Sequence, residues 1–589
     1  FIIASFHPEF GESDVFIDNV RNISSEKIIF LEEAVGPTDV KGFKKLKENF
    51  ESSEFISELD TEIIPTILKR NLDQGNSLFG ALKDLYGKIE GMTSIALLFD
   101  NIQYLALATN NGSLYFVQSI DENCFMFASE FSILNKIISM KITNEHFHNY
   151  EIKKIHPNEF LFLNIETLEL HIKSNFNHKE TRLFKKTKNN KHLIDLSSEI
   201  ELPINKSLNH YVKSVPKSFK EHIDSKLQLI NGLKRCKKCI LGESFPFIKF
   251  DDKGICNYCN DHKKIVYQGK EQLKNKVSQL KKNKLKNDCL VPLSGGRDSS
   301  YVLHYIVTEL GMNPICFSYD WGMITDLARR NQSRMCGKLG VEHIYVSADI
   351  RKKRKNIGKN VSAWLKRPEL GMVPIFMAGD KAYFYYSNQI QSQNNLAISI
   401  MGDNHLEKTI FKGAFSNVKN YQQGNMAHNV NIFTKLKLLK YYFKQYTLNP
   451  RYLNKSLIDT MKSYWFYYGI KHEHLNFFDF VNWDGDKIDK TLIHQYNWEI
   501  DPGTTTTWRI GDGTAAFYNY IYYNVAGFTE NDTFRSNQIR EGQISRSHAL
   551  ELIETENLPR WESIKWYCDT INIDFEHSIS VINKIKTLY

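Results

Sequence analysis

Six consecutive positions, Ser294-Gly295-Gly296-Arg297-Asp298-Ser299, combine two glycines, two hydroxyls, a cation and an acid. Glycines carry no Cβ, so a phosphate can approach the backbone N–H groups, and a helix starting directly behind them adds partial positive charge. Ser294 and Ser299 can donate hydrogen bonds to phosphate oxygens, and Asp298 can cap the helix or hold Mg²⁺. The chemistry is binding of a phosphorylated nucleotide. No GxxxxGK[ST] pattern occurs in the chain, which argues against γ-phosphate transfer of the Walker type.

Four cysteines form a second group. Cys236-x2-Cys239 is followed after sixteen residues by Cys256-x2-Cys259. That spacing suits two turns that each present a pair of thiolates to one tetrahedral ion. Asp251-Asp252-Lys253-Gly254 supplies the reversal that brings the halves together. Four sulfur ligands leave no open position for substrate, so the expected Zn²⁺ is structural.

These residues need elements to position them. Cys289–Leu293 is a compact apolar run before the glycine loop, Ser300–Leu310 has helical spacing, Asn313-Pro314 marks a turn, and Ile315–Tyr319 is apolar again. This is a βαβ unit. The alternation continues with a helix over Thr325–Leu339, a strand at His343–Ser347, a helix over Lys381–Gln389 and a strand at Leu396–Met401. A parallel sheet covered by helices follows. Beyond about residue 430 the pattern is mostly helical and rich in aromatics.

Residues 1–200 read differently, with strands at Lys27–Leu31, Ser94–Phe99, Gln103–Ala108, Ser113–Gln118 and Cys124–Ala128. Asn110-Asn111-Gly112 signals a hairpin turn, and helices are expected at Asp60–Arg70 and Ser77–Leu85. The fold class is therefore multidomain, α+β and α/β. Expected units are 1–200, a linker helix in 201–230 (part of a helix over Lys206–Ile230), the cysteine segment 231–265, the nucleotide unit 285–430, and a helical region 431–589 that holds the acceptor.

Composition bounds the function. Among 589 residues, 76 Lys and Arg against 67 Asp and Glu give a net charge of +9, and 42% of residues are hydrophobic, enough for sizeable cores. The basic stretches Lys185–Lys191, Lys281–Lys286 and Arg351–Lys359 lack interleaved aromatics, so nucleic-acid stacking platforms are not evident. The most apolar stretch, Met92–Ala108, is broken by Asp100, Asn101 and Gln103, so no membrane span is expected. Nine cysteines are too few for a disulfide scaffold, and Phe1–Phe6 has no secretory character, which makes cytoplasm the default. Phe1 is an unusual first residue, and a removed or missing start is an expectation.

The SGGxDS loop resembles that of the ATP pyrophosphatase superfamily, whose members cleave ATP between the α and β phosphates and adenylate an oxygen of their substrate. The resemblance implies ATP contacts from Ser294, Gly295, Gly296, Asp298, Ser299 and Ser300, with Tyr319 and Asp320 near the nucleotide at the end of the second strand. The segment Arg235–Cys259, the loop, the block Ile510–Tyr518, Gly527-Phe-Thr-Glu530 and Arg535–Arg546 together resemble the N-acetyl sugar amidotransferase family of surface-polysaccharide biosynthesis. This covers roughly Arg235 to Leu550. It implies ATP-dependent conversion of an acetamido group of an N-acetylated nucleotide sugar into an acetamidino group. Arg297 and Asp298 are the expected catalytic groups and Asp298 and Asp403 the expected Mg²⁺ ligands. Arg509, Asp512, Arg535 and Arg540 are expected at the acceptor phosphates, through bidentate contacts in the case of the arginines.

Leu59-Asp60-Thr61-Glu62 and Phe127-Ala128-Ser129-Glu130, with Gly87–Gly91 between them, resemble blocks of the class II glutamine amidotransferase domain of asparagine synthetases. An antiparallel Ntn-hydrolase-like sandwich is implied. The chain departs from that family, since residue 1 is Phe and Phe30-Leu31-Glu32-Glu33 stands where an Asn-Gly pair belongs. A carboxylate beside a developing oxyanion would oppose it. The expectation is a degenerate domain, with ammonia drawn from solution or a partner glutaminase. Two other reactions stay open: amidation of a free carboxylate, and tRNA thiolation with Cys316 or Cys336 as sulfur carrier.

Overall fold

Short β-branched and aromatic runs separated by amphipathic stretches build a parallel sheet in the second half of the chain. The computed structural model describes residues 2–3, 28–29, 63–89, 91–99, 103–119, 124–139, 147, 150–174, 215–280, 287–418, 432–470, 474–501 and 503–589. Strands Leu290–Pro292, Ile315–Asp320 and His343–Ser347 pair in parallel in that order. On the other side of the first strand a parallel bridge joins Leu290 to Ser399, and Ile400–Met401 then pairs in parallel with Leu475–Asn476. Read across the sheet, the third, second, first, fourth and fifth strands lie side by side. The order reverses at Leu290–Pro292, so the crevice at the carboxyl ends of the first and fourth strands is where a doubly wound sheet takes its ligand.

Helix Arg297–Thr308 runs back from the first strand, Asp326–Leu339 from the second and Ile350–Lys366 from the third. Thr325 caps the second of these, its hydroxyl accepting from the Ala328 amide. The expected Lys381–Gln389 helix is observed as Tyr383–Gln393, preceded by a 3₁₀ stretch over Leu370–Ala382 that carries Asp380 and Lys381. The edge strand Leu475–Asn476 comes from beyond residue 430, so the sheet crosses the boundary expected there.

Helices Ala515–Ala526, Glu530–Glu541, Arg546–Glu556, Trp561–Thr570 and Phe575–Asn583 form the end of the chain. All but Arg546–Glu556 share one core with the cysteine segment and with the sheet residues Phe317 and Tyr319; Ala549 and Ile553 of that helix pack on Ile240 of the cysteine segment instead. The expected linker helix is observed as Lys217–Asn231.

The first half is layered. Strands Ser94–Leu98, Tyr104–Thr109, Glu159–Asn164 and Leu170–Ser174 form one antiparallel sheet, and Phe125–Ala128, Tyr115–Gln118 and Lys153–Lys154 form another. Leu105, Leu107 and Leu161 meet Phe116 and Phe127 between them. Helices Ile63–Asp73 and Leu78–Lys88 cover the outer face of the first sheet, and Phe131–Ile138 covers the second. Asn110-Asn111-Gly112 therefore does not close a hairpin. It carries the chain from one sheet to the other, because the strands on either side of it pair elsewhere. The blocks at 59–62 and 30–33, the basic stretches 185–191 and 281–286, and residues 206–214 of the expected linker helix lie outside the described residues.

Candidate functional site

The first strand ends at Pro292, and the chain turns through Ser294 and Gly295 into the Arg297–Thr308 helix. Gly295 has φ +78°, and a Cβ there would sit 2.4 Å from the Ala328 carbonyl oxygen, so only glycine makes this turn. The Ser294 Oγ accepts from the Gly296 amide at 3.3 Å and lies 3.0 Å from the Ser299 Oγ. Two hydroxyls thus meet at the start of a helix. The Ser300 hydroxyl does not join them: it is buried and donates to the Gly296 carbonyl at 2.9 Å.

A cavity of about 810 Å³ opens over the loop, lined by Ser294, Gly296, Arg297, Asp298 and Ser299 and, from the fourth strand's end, Gly402, Asp403 and Asn404. The two strand ends are packed tightly, since a Cβ on Gly402 would lie 2.8 Å from the Val302 side chain and 3.3 Å from the Asp298 carbonyl oxygen. Asp298 is held from two sides. Its Oδ1 accepts from Trp483 Nε1 at 2.8 Å and its Oδ2 from Asn404 Nδ2 at 3.5 Å. Tyr319, Trp321, Tyr383 and Phe384 supply aromatic wall.

Carboxyl groups crowd this space. The Asp403 side chain keeps 71% of its surface open to the cavity. Open as it is, its carboxyl stands above the ordinary value beside the Asp479 and Asp298 carboxylates, with His405 opposing. Burial likewise pushes Glu407 up to about 8, with Arg509 opposing and Asp298 adding. Asp380 is raised too, again chiefly by burial. Asp403 and Glu407 both feel the Asp298 carboxylate, and a divalent cation among them would relieve that repulsion. Asp298 and Asp403, brought to the same crevice, fit the expected Mg²⁺ ligands.

The remaining expected residues separate into those at the cavity and those elsewhere. Tyr319, Arg509 and Asp512 line it. Asp512 accepts from the Thr514 amide at 2.9 Å, and Arg509 sits at φ +57° between Glu407 at 3.8 Å and Glu530 at 3.7 Å. Arg297 lines the cavity but is buried against the Trp483 ring at 5.0 Å, with Nη1 donating to Thr507 at 2.7 Å. Its Nε and Nη2 are buried without hydrogen-bond partners among the described residues. Asp320 does not line the cavity. It is buried and accepts from the Gly322 amide at 2.7 Å, the Arg329 guanidinium and the Tyr345 hydroxyl.

Arg535 and Arg540 do not line the cavity either. The Arg535 guanidinium faces Glu556 and donates to Gln538 at 2.7 Å. Arg540 donates to the Cys259 sulfur through Nε and to the Cys239 sulfur through Nη2, both at 3.4 Å. Cys316 and Cys336 are fully buried on a strand and a helix and line no part of the cavity, which leaves a sulfur-carrying role without access.

Sequence reasoning passed over Asp380, Lys381, Glu407 and Lys412. Glu407 follows the fourth strand by six residues, so extending the strand-end rule past Asp403 would have reached it. Glu530, at the end of the Gly527-Phe-Thr-Glu530 block, is fully buried, 2.5 Å from Lys412 Nζ and 2.7 Å from the Tyr518 hydroxyl. Burial opposes its ionisation, but Lys412 and Arg509 prevail and hold it at about 2.

The four cysteine sulfurs lie within 4.8 Å of one another, with Cys239 and Cys256 at 3.7 Å and Cys236 and Cys259 at 4.0 Å. A tetrahedron with metal–sulfur bonds of about 2.3 Å has edges of about 3.8 Å, so the set fits Zn²⁺. The Cys256 amide donates to the Cys236 sulfur at 3.2 Å, and Arg546 Nε holds the Cys236 and Cys239 carbonyls at 3.1 and 3.0 Å. Arg540, donating to the Cys259 and Cys239 sulfurs, favours their thiolate forms. Such outer partners orient the sulfurs and stabilise thiolate charge.

No family model and no curated protein matches the chain. Among solved structures it is similar to the NH3-dependent NAD synthetase from Campylobacter jejuni subsp. jejuni NCTC 11168 in complex with the nitrate ion. Identity is 16%, coverage is 35% of this chain and 96% of that chain, and the TM-score is 0.17. A likeness at that TM-score adds nothing to the geometry.

Proposed function

We propose that the protein is an ATP-dependent amidating enzyme that activates the acetamido oxygen of an N-acetylated nucleotide sugar and replaces it with ammonia nitrogen. The observation carrying this reading is the loop Ser294–Ser299 facing Asp403 across a cavity at the reversal of a parallel sheet. Hydroxyls and helix-start amides suit the pyrophosphate as charge develops on it, and Asp298 and Asp403 would hold Mg²⁺, which neutralises phosphate charge. Arg509 and Asp512 line the same cavity, which supports their reading as acceptor contacts.

The carbonyl oxygen attacks the α-phosphorus, the α–β phosphoanhydride bond breaks, and pyrophosphate leaves. Ammonia then adds to the carbon, the carbon–oxygen bond breaks, AMP departs, and a proton is lost to give the amidine. An amide carbonyl is a poor electrophile, and conversion of its oxygen into a phosphate leaving group is what makes the exchange feasible. Leu31 and Glu32 in place of an Asn-Gly pair make ammonia from solution or a partner glutaminase the nitrogen source in this reading. The test is pyrophosphate release with ammonium or glutamine, each offered with nucleotide N-acetyl sugars, aspartate and tRNA. Release with ammonium and a sugar supports the proposal; release with aspartate or tRNA alone assigns a different acceptor.

A further inference from the structure

Helices Ile432–Leu448 and Ser456–Tyr468 leave a continuous apolar stripe uncovered by the described residues. Leu436, Leu439 and Phe443 stand three and seven positions apart on the first helix, and Ile458, Met461 and Trp465 repeat that spacing on the second. All six are between 55% and 77% exposed. They line an apolar cavity of about 1390 Å³. Scattered exposed leucines are ordinary, but two matched stripes forming one patch mark an interaction surface.

Charge identifies the partner. Lys437, Lys440, Lys444 and Lys462 are exposed on these helices and Arg451 and Lys455 on the connection between them, while the acidic Asp459 is already paired with Lys353 and with Asn356 at 3.2 Å. At about 100° per residue the lysines on each helix lie roughly 40 to 100° round from its stripe, so cations flank apolar side chains rather than oppose them. Apolar stripes that include Trp and Phe, with lysines at their edges, suit the interface of an anionic bilayer: hydrocarbon takes the stripe and headgroup phosphates take the lysines. A second copy of this face would set basic rim against basic rim, which like-charge repulsion opposes. The apolar cavity also shares Asp380, Lys381, Thr409, Arg509 and Asp512 with the polar one, so the patch lies at the mouth of the proposed active site.

We infer that the 432–468 helix pair docks the protein on an anionic lipid surface, with its cavity mouth turned toward the bilayer. This holds whether or not the proposed reaction does, because the observations concern the surface alone.

Flotation of the full chain with vesicles of phosphatidylcholine, alone or mixed with phosphatidylglycerol, tests it. The chain should float with the mixed vesicles, less so at high salt, and not with phosphatidylcholine. Phe443→Glu with Trp465→Glu, and separately Lys440→Glu with Lys444→Glu, should lower the bound fraction by roughly tenfold or more, since one basic residue near an anionic surface strengthens binding by about fivefold. These exposed positions should leave circular dichroism and thermal unfolding unchanged. Failure to bind mixed vesicles, or equal binding to both kinds, overturns the inference. So does a concentration-dependent dimer that Phe443→Glu dissolves, which assigns the face to a second copy.

Discussion

Asp298 is the residue on which the proposed chemistry turns, because it alone joins the loop, the fourth strand through Asn404, and the Trp483 indole. Asp298→Asn keeps an oxygen for Trp483 but removes the charge. Pyrophosphate release should fall by about 10²–10³-fold while nucleotide binding without Mg²⁺ changes little, as expected when a metal-holding charge is lost; equal activity would remove the metal role. A second residue reports on pH. Glu499 accepts from Arg330 Nε at 2.9 Å and Nη2 at 2.6 Å and faces Arg334. Burial opposes its ionisation, yet these hydrogen bonds hold it at about 2. Its stabilising contribution is complete above about pH 4.5, the unfolded value, and is lost as pH falls toward 2. Unfolding followed over that window should show Glu499→Gln with a shallower loss than the parent chain; an unchanged slope would mean the arginines do not depend on this carboxylate.

At the scale of elements, strands bounded by turn signals were legible because a buried parallel strand is a short apolar run: His343–Ser347 is observed as expected, and Ile315–Tyr319 gains only Asp320. The glycine loop was legible because its backbone requirement shows in residue type. The 3₁₀ stretch Leu370–Ala382 and the two-residue strand Leu475–Asn476 were not, since neither is long or periodic enough to leave a pattern. Arginine roles were least legible. Helix Glu530–Glu541 carries both Arg535 and Arg540, and only its packing against the cysteine segment turns one toward Glu556 and the other toward sulfur. That placement has a measurable consequence. Arg540→Gln should weaken zinc retention by about 10–100-fold in a chelator competition, the usual cost of losing an outer partner. The KM for the acceptor sugar should stay where it was. A raised KM with unchanged zinc retention would restore Arg540 to the acceptor.

At the scale of the whole molecule, a buried acid helps to join the two halves, beside the hydrogen bond from the Met92 amide to the Ser333 hydroxyl at 2.9 Å. Glu342, on the turn leading into the third parallel strand, is 2% exposed and faces the Tyr115 hydroxyl and Lys154 Nζ at 2.8 Å, both from the antiparallel half, while Asn287 donates from its own half at 3.3 Å. The halves also meet where a Cβ on Gly337 would lie 2.4 Å from the Gly91 carbonyl oxygen, so there is no slack to absorb a loss. Glu130, in the block resembling glutamine amidotransferases, feels the same charge: burial first and then Glu342 push it up to about 7. An acid raised in this way favours the folded state while protonated, so its contribution is present below the unfolded value near 4.5 and is lost as pH rises through 7. Glu342→Leu removes the anion but leaves Lys154 partly buried beside it, at a cost of about 3–5 kcal/mol. Calorimetry of the parent should give one transition across the two halves. The variant should give two, with the lower belonging to the antiparallel half, and a smaller loss of stability between pH 4.5 and 7 because Glu130 no longer meets a second carboxylate. A single transition at the parent's temperature would mean that backbone packing at Gly337 and Gly91, rather than this shared charge, joins the halves.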